Sequence, residues 1–243
     1  MAKTVLITGS SDGIGANIAQ KLSQNGYKVF ITGRNKDKLV KQNKICLAEG
    51  YLAGDLCDDN FLNELYNHAK EKLGHIDILI NNAGAYTWSP IEKTLESNIK
   101  EIIKLNLEVP YKLCKLAVSD MKHNKWGRII NIGSISGAVG EANASLYSAS
   151  KSGLIGLTKA LALELAEYGI TINIINPGWV KTGLVEPLFT DGVLDKSEQL
   201  DMIPQRRWIA PSEISSLVNY LISEDAKGLT GQSINLCAGL SLG

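Results

Sequence analysis

The sequence predicts one α/β domain: a doubly wound parallel sheet of about seven strands with helices on both faces. Three observations predict it. Short β-branched runs alternate with longer helical stretches through all 243 residues. Several runs are apolar at nearly every position, as strands buried on both faces of a parallel sheet must be. No repeat or low-complexity linker breaks the alternation, and 44% of the residues are hydrophobic, enough to bury a full core as one unit, 1–243. Alternation of this kind implies right-handed crossovers.

The elements follow in order. "TVLITG" (4–9) is a strand ending in a glycine turn, and helical spacing over Ile14–Asn25 follows it. "KVFITG" (28–33) is the second strand and "GYLAGD" (50–55) a weak third. A helix over Asp59–Leu73 leads to "IDILINNAG" (76–84), an almost continuous aliphatic strand. One long helix is expected around Leu95–His123, then the strand "RIINIGS" (128–134) and a helix over Ser148–Tyr168. "TINIINPG" (171–178), a helix over Ser212–Ser223 and "SINLCAG" (233–239) complete the sheet.

One long irregular stretch remains, 182–211, carrying Pro187, Pro204 and Pro211. Its Leu184, Val185, Leu188, Phe189, Val193, Leu194 and Leu200 are too apolar for a permanently solvated loop. Short helices folding over a site as a substrate lid are expected there.

Composition excludes several classes. Lys and Arg (25) balance Asp and Glu (25), so no global basic field invites nucleic acid or an anionic membrane. No apolar run reaches about 18 residues, and the first residues run straight into the first strand without a cleavable apolar region. A cytoplasmic protein with no membrane partner is expected. The four cysteines form no CxxC pair and the three histidines are scattered, which predicts reduced thiols and no metal site.

"TGSSDGIG" (8–15) sits where the first strand meets the first helix. Gly9 permits a tight turn, Gly13 and Gly15 let a diphosphate approach the backbone, and the helix N-terminus offers free N–H groups. This spacing, T-G-x-x-x-G-x-G, resembles the short-chain dehydrogenase/reductase family, whose domain is a Rossmann-type sheet. The second strand ends "FITGRNK", with Gly33 where a dinucleotide site of the NAD type carries an acid, and Arg34 after it. A carboxylate there would repel a 2′-phosphate, whereas a guanidinium binds one bidentately. Ser10 and Ser11 add candidate hydroxyl donors, and Ile14 opens the helix beside them. NADP(H) is the expected cofactor.

Three Tyr–Lys pairs stand four residues apart: Tyr66/Lys70, Tyr111/Lys115 and Tyr147/Lys151. On a helix each pair shares one face. Only Tyr147 follows a serine-bearing strand end, Ser134, and begins the helix after the fifth strand, where an open α/β sheet binds its ligands. The resemblance adds roles in order along the chain. "GDL" matches an adenine contact, Asp55 with Leu56. "NNAG" matches the turn that passes along the cofactor, with Asn82, Ala83 and Gly84. Asn106 in "KLNLEVP" stands where the family places a helix-kinking asparagine that holds a proton-relay water. "NPGWVKT" matches the nicotinamide flank, with Pro177, Gly178, Val180 and Thr182. Ser134, Tyr147 and Lys151 would be the catalytic set. Tyr147 and Lys151 would also contact the cofactor. Lys151 and the charge of the oxidised nicotinamide are expected to lower the tyrosine below its ordinary value of about 10.

"SGLIGLTKALALELAEYGITINIINPG" is similar to bacterial 3-oxoacyl-[acyl-carrier-protein] reductases, which implies a carbonyl or alcohol substrate carried on that protein. Two departures stand against it. "AYTWSP" (85–90) replaces a polar segment, and Tyr168 replaces a basic residue before Gly169, with Lys125 and Arg128 remaining nearby. Trp88 and Trp179 are expected at the pocket mouth, which suits a free small or cyclic carbonyl compound. The alternatives are therefore a sugar, steroid or secondary-metabolite ketone reductase and, in another class, a catalytically silent NADP-binding regulator. A homotetramer built on the long helices is the family analogy.

Overall fold

Val5 and Ile7 enter the core on one face of the sheet and Leu6 enters on the other. This two-residue period is what a strand covered on both faces imposes. The computed structural model describes residues 2–183, 189–190, 192 and 195–242. Seven parallel strands lie in the order β3-β2-β1-β4-β5-β6-β7. They are β1 (Thr4–Ile7), β2 (Lys28–Gly33), β3 (Gly50–Ala53), β4 (Ile78–Asn81), β5 (Gly127–Ile132), β6 (Ile170–Pro177) and β7 (Ser233–Leu236).

Helices α1 (Gly13–Gln24) and α2 (Lys36–Cys46) cover one face. Ile18, Leu22 and Leu39 pack there on Val5, Ile7 and Val29. The opposite face carries α3 (Asp59–Leu73), where Leu62 and Leu65 meet Leu6, Phe30 and Leu79. Sequence periodicity misses α2 because its run is lysine-rich and buries only Leu39, Gln42 and Cys46. Asn35 starts it, accepting from the Lys38 N–H at 2.9 Å.

The helix expected over 95–123 is divided. α4 (Glu96–Ile103) passes through a widened π turn, Lys104–Glu108, into α5 (Val109–Asn124). Pro110 explains part of this, since it lacks the N–H that would pair with the Asn106 carbonyl in an α-helix. After β5 come α6 (Ile135–Val139) and the long α7 (Ser145–Leu165). The described part of 182–211 holds the short α8 (Lys196–Asp201), and α9 (Pro211–Leu221) packs Ile214 and Val218 beside α1. Leu184, Val185, Leu188, Val193 and Leu194 of the expected lid lie outside the described residues.

Strand order reverses between β1 and β4, so the connections leaving their carboxyl ends diverge and open a crevice. Among the described residues no helix is long and apolar enough to cross a membrane, and no group of acidic, His or Cys side chains could hold a metal ion. All four cysteines are free thiols.

Candidate active site

A cleft of about 1050 Å³ follows the carboxyl edge of the sheet, from the turn after β1 to the helix carrying Tyr147. Its first wall is the glycine turn. Gly9 (φ +61°) and Gly13 (φ +56°) take left-handed conformations that favour glycine. Gly15 serves differently from the expectation. A Cβ there would stand 2.4 Å from the Gly9 carbonyl oxygen and 2.5 Å from Asn82 Nδ2, so its role is close packing of α1 behind the turn. Asp12, which sequence reasoning passed over, caps α1 by accepting from the Gly13 N–H at 2.7 Å. It also pairs with Lys38 at 2.6 Å. That hydrogen bond to Lys38 and the one from Gly13 hold its carboxyl below the usual range.

Of the two serines in the turn, only Ser11 faces the cleft. Ser10 is fully buried, donating to the Ile7 carbonyl at 2.8 Å and accepting from the Thr32 N–H at 3.1 Å. It is therefore not available as the hydroxyl donor expected there. A Cβ at Gly33 would stand 3.0 Å from Ser11 Oγ, so the turn crowds the strand end where an acid would sit. Arg34 and Lys38 line this end with Asn35.

The floor comes from β3 and β4. Asp55 lines the cleft while accepting from the Cys57 N–H at 2.9 Å, and Leu56 is buried beside it. Asn82 and Ala83 line it too, and both of their N–H groups donate to Thr8 Oγ1 at 3.0 Å. The Asn82 amide donates to the Thr8 and Gly9 carbonyls at 2.9 Å, which stitches this turn to the glycine turn. A Cβ on Gly84 would come within 3.2 Å of Asn106 Oδ1 and 3.4 Å of Lys151 Nζ, so glycine lets the backbone pass close to both.

Ser134, Tyr147 and Lys151 converge at the far end. Ser134 is the N-cap of α6, where it accepts from the Ser136 N–H at 3.2 Å. Tyr147 and Lys151 stack one turn apart on α7, with the ammonium 5.7 Å from the centre of the phenol ring. Lys151 is buried and donates to the Ile132 carbonyl at 2.9 Å. Asn106 stands behind the cleft wall. Its Oδ1 accepts from the Ala85 N–H, and its Nδ2 donates to the Ala85 carbonyl, both at 2.9 Å, and to Ser150 Oγ at 3.0 Å.

The chain's own groups raise the phenol, where Lys151 was expected to help lower it. Burial pushes Tyr147 up to about 12, opposed by the Ser134 hydroxyl and reinforced by the charge of Glu141. Burial also drives Lys151 down to about 8, because desolvation penalises its charge.

Pro177, Gly178, Val180 and Thr182 line the cleft. Trp179 lines it as well and packs edge-on against Phe189 at 5.4 Å, with Trp208 4.9 Å from Phe189. Trp88 does not reach the wall. Tyr86, two residues earlier, takes its place and packs edge-on against Tyr147 at 4.8 Å. Its hydroxyl donates to Glu141 at 2.7 Å, and the Ser89 N–H donates to the Asn143 carbonyl at 2.6 Å, clipping the two loops together. Tyr86, Glu141, Gln199 and Met202 are lining residues that sequence reasoning missed. The "AYTWSP" departure pointed to the right segment but the wrong aromatic ring.

The two basic groups that remain near Gly169, Lys125 and Arg128, do not line the cleft. Lys125, Tyr168 and Gly169 sit at the amino ends of β5 and β6, across the sheet from the cleft. Arg128 is buried, donating to the Gly127 and Gly169 carbonyls and pairing with Glu224, and is not free for a partner.

Comparison with known proteins gives a consistent set. The family profile described as short chain dehydrogenase matches residues 3–192. The chain is 38% identical over 239 residues to the 3-oxoacyl-[acyl-carrier-protein] reductase FabG of Buchnera aphidicola subsp. Schizaphis graminum, covering 98% of this chain and 97% of that one. It is 35% identical over 249 residues to the granaticin polyketide synthase putative ketoacyl reductase 1 of Streptomyces violaceoruber, covering 97% and 92%. Among solved structures it is similar to an actinorhodin polyketide ketoreductase determined with NADPH, with a TM-score of 0.93, 32% identity and coverage of 99% and 97%.

Proposed function

The chain belongs to the short-chain dehydrogenase family, and we propose that within it the protein is an NADPH-dependent reductase of a 3-oxoacyl-type ketone. The single observation that carries this reading is the convergence of Ser134, Tyr147 and Lys151 on the cleft that begins at the glycine turn. The turn fits a dinucleotide diphosphate: Gly9 and Gly13 hold left-handed conformations at the N-terminus of α1. When bound, the cofactor supplies the hydride. Tyr147 donates its proton to the substrate oxygen, and Ser134 lines the cleft beside it. Lys151 holds the nicotinamide ribose. Asn106, through its place in the π turn, positions the water that restores the proton.

Preference for NADPH over NADH is supported by Arg34 and Lys38 at the end of β2, and by the crowding of Ser11 against Gly33. A charged hydrogen bond to a phosphate is worth roughly 1.5–3 kcal/mol, or about ten- to a hundredfold. Arg34→Asp is expected to remove or invert the preference in direct titrations of both cofactors. Native preference for NADH, or an unchanged ratio in the variant, would sink the assignment.

A second reading, reduction of a cyclic or polyketide-like ketone, is favoured by the aromatic walls Tyr86 and Trp179. The carrier-bound reading is supported by the likeness to carrier-protein reductases. A panel of ketones and carrier-bound 3-oxoacyl thioesters separates them by kcat/KM.

We also propose that the 195–208 part of the 182–211 segment covers the nicotinamide end. Gln199 and Met202 of the α8 region line the cleft, and Phe189 and Trp208 pack with Trp179. Amide exchange over 195–208 is expected to be fast in the free protein and slowed by NADP(H) plus substrate. Full protection in the ligand-free protein would make this segment a fixed wall.

A further inference from the structure

The Ser134 hydroxyl has one hydrogen, and its neighbours dictate where that hydrogen goes. Glu141 Oε2 lies 2.6 Å from Ser136 Oγ. An ionised carboxylate only accepts, so the single Ser136 hydrogen is spent on it. Ser136 Oγ lies 3.1 Å from Ser134 Oγ and has only a lone pair left to offer, so Ser134 is the donor of that bond. Ser134 therefore turns its hydrogen toward Ser136. The Tyr86 hydroxyl, 2.7 Å from Glu141 Oε1, fixes the carboxylate from its other side.

We propose that Glu141 is a positioning residue for Tyr147: acting through Ser136, it holds the Ser134 hydrogen away from the phenol and keeps that phenol in its proton-bearing form. The inference rests on the reading of Tyr147 as the proton donor. A phenolate is stabilised by a donated hydrogen bond, and the Ser134 hydrogen that could give one is competed for by a chain ending on a carboxylate. The titratable and charged groups that face the phenol are few. Lys151 lies one turn along α7, Tyr86 comes from the loop after β4, and Glu141 from the connection between α6 and α7. Burial and the charge of Glu141 both raise the phenol, and the opposing bond from Ser134 is the one that the chain to Glu141 competes for. A phenol held in this way carries the proton that carbonyl reduction consumes, although as a weaker acid.

The test is an ultraviolet titration of the Tyr147 phenolate in the NADP⁺ complex, read as the difference from the same chain carrying Tyr147→Phe. Burial and its bond to Glu141 push Tyr86 far above the ordinary range, so it stays out of the window. Glu141→Gln supplies an amide donor to Ser136 and lets the chain reverse, so that Ser134 donates to the phenolate. Ser136→Ala removes the middle link but keeps the Glu141 charge. Each is expected to lower the apparent pKa by about one pH unit, about tenfold in phenolate population. Simple charge repulsion predicts a fall in Glu141→Gln alone. An unchanged value in Ser136→Ala with NADP⁺ still bound overturns the proposal. Ser136→Cys, whose thiol is a poor acceptor, gives the same comparison if the alanine variant loses NADP⁺. Full turnover in Tyr147→Phe would instead sink the proton-donor reading, whatever the titrations give, so the two failures are distinguishable.

Discussion

Tyr147→Phe is expected to lower turnover by about a hundred- to ten-thousandfold while leaving NADPH affinity within about a factor of two. The substitution removes one hydroxyl and keeps the ring, so the edge-on packing against Tyr86 survives. The phenol is the only side chain of the converging set that burial keeps protonated well above neutrality and that faces the cleft as a donor. Lys151, the other buried donor, gives one of its three hydrogens to the Ile132 carbonyl and stands one turn behind the phenol. Loss of NADPH absorbance under saturating ketone reads the turnover, and fluorescence titration of NADPH reads the binding. A variant that binds NADPH and still reduces ketones within tenfold of native would move the proton donor elsewhere, with Ser134 the next candidate.

Much of this site was legible in the sequence because its parts are local. The glycine turn, the strand ends and the Tyr–Lys spacing each lie within a few residues, and parallel topology brings strand ends to one edge. What was not legible is tertiary. Ser10 and Ser11 are adjacent, yet one donates to the Ile7 carbonyl inside the core and the other faces the cleft. Nothing in "GSSDG" distinguishes them, since the difference lies in the neighbouring β2 backbone. Arg128 reads as a surface charge at the start of a strand but folds inward onto Gly169 and Glu224. Glu141 and Tyr86, separated by 55 positions, meet only because two loops cross above β4 and β5. The helix over 95–123 looked continuous because its apolar spacing survives the π turn, although Pro110 and the helix-kinking place of Asn106 both pointed to the break.

Lys151→Met is expected to damage both turnover and NADPH binding, and to change the pH dependence of stability in a definite direction. The buried ammonium titrates near 8 in the folded chain, against an ordinary value of 10.5. Between those values the unfolded chain holds more protons than the folded one, so native stability rises with pH through that window. Below about pH 8 the penalty of burying the charge is fully present, and above about 10.5 it is gone. A methionine of similar length carries no such penalty. The native chain should therefore gain about 3 kcal/mol relative to Lys151→Met between neutral pH and about pH 10.5, whatever constant offset the lost bond to the Ile132 carbonyl adds. Lys70→Ala and Lys115→Ala are the controls for the two other Tyr–Lys pairs. Lys70 pairs with Asp120 at 2.8 Å on the outside of α3, and Lys115 is exposed on α5, so both should keep near-native turnover. Urea unfolding at the two pH values measures the shift. A stability difference that does not change with pH would mean that Lys151 is not held as a buried charge. Equal activity losses in all three lysine variants would remove the reason for choosing Tyr147 over its two look-alikes.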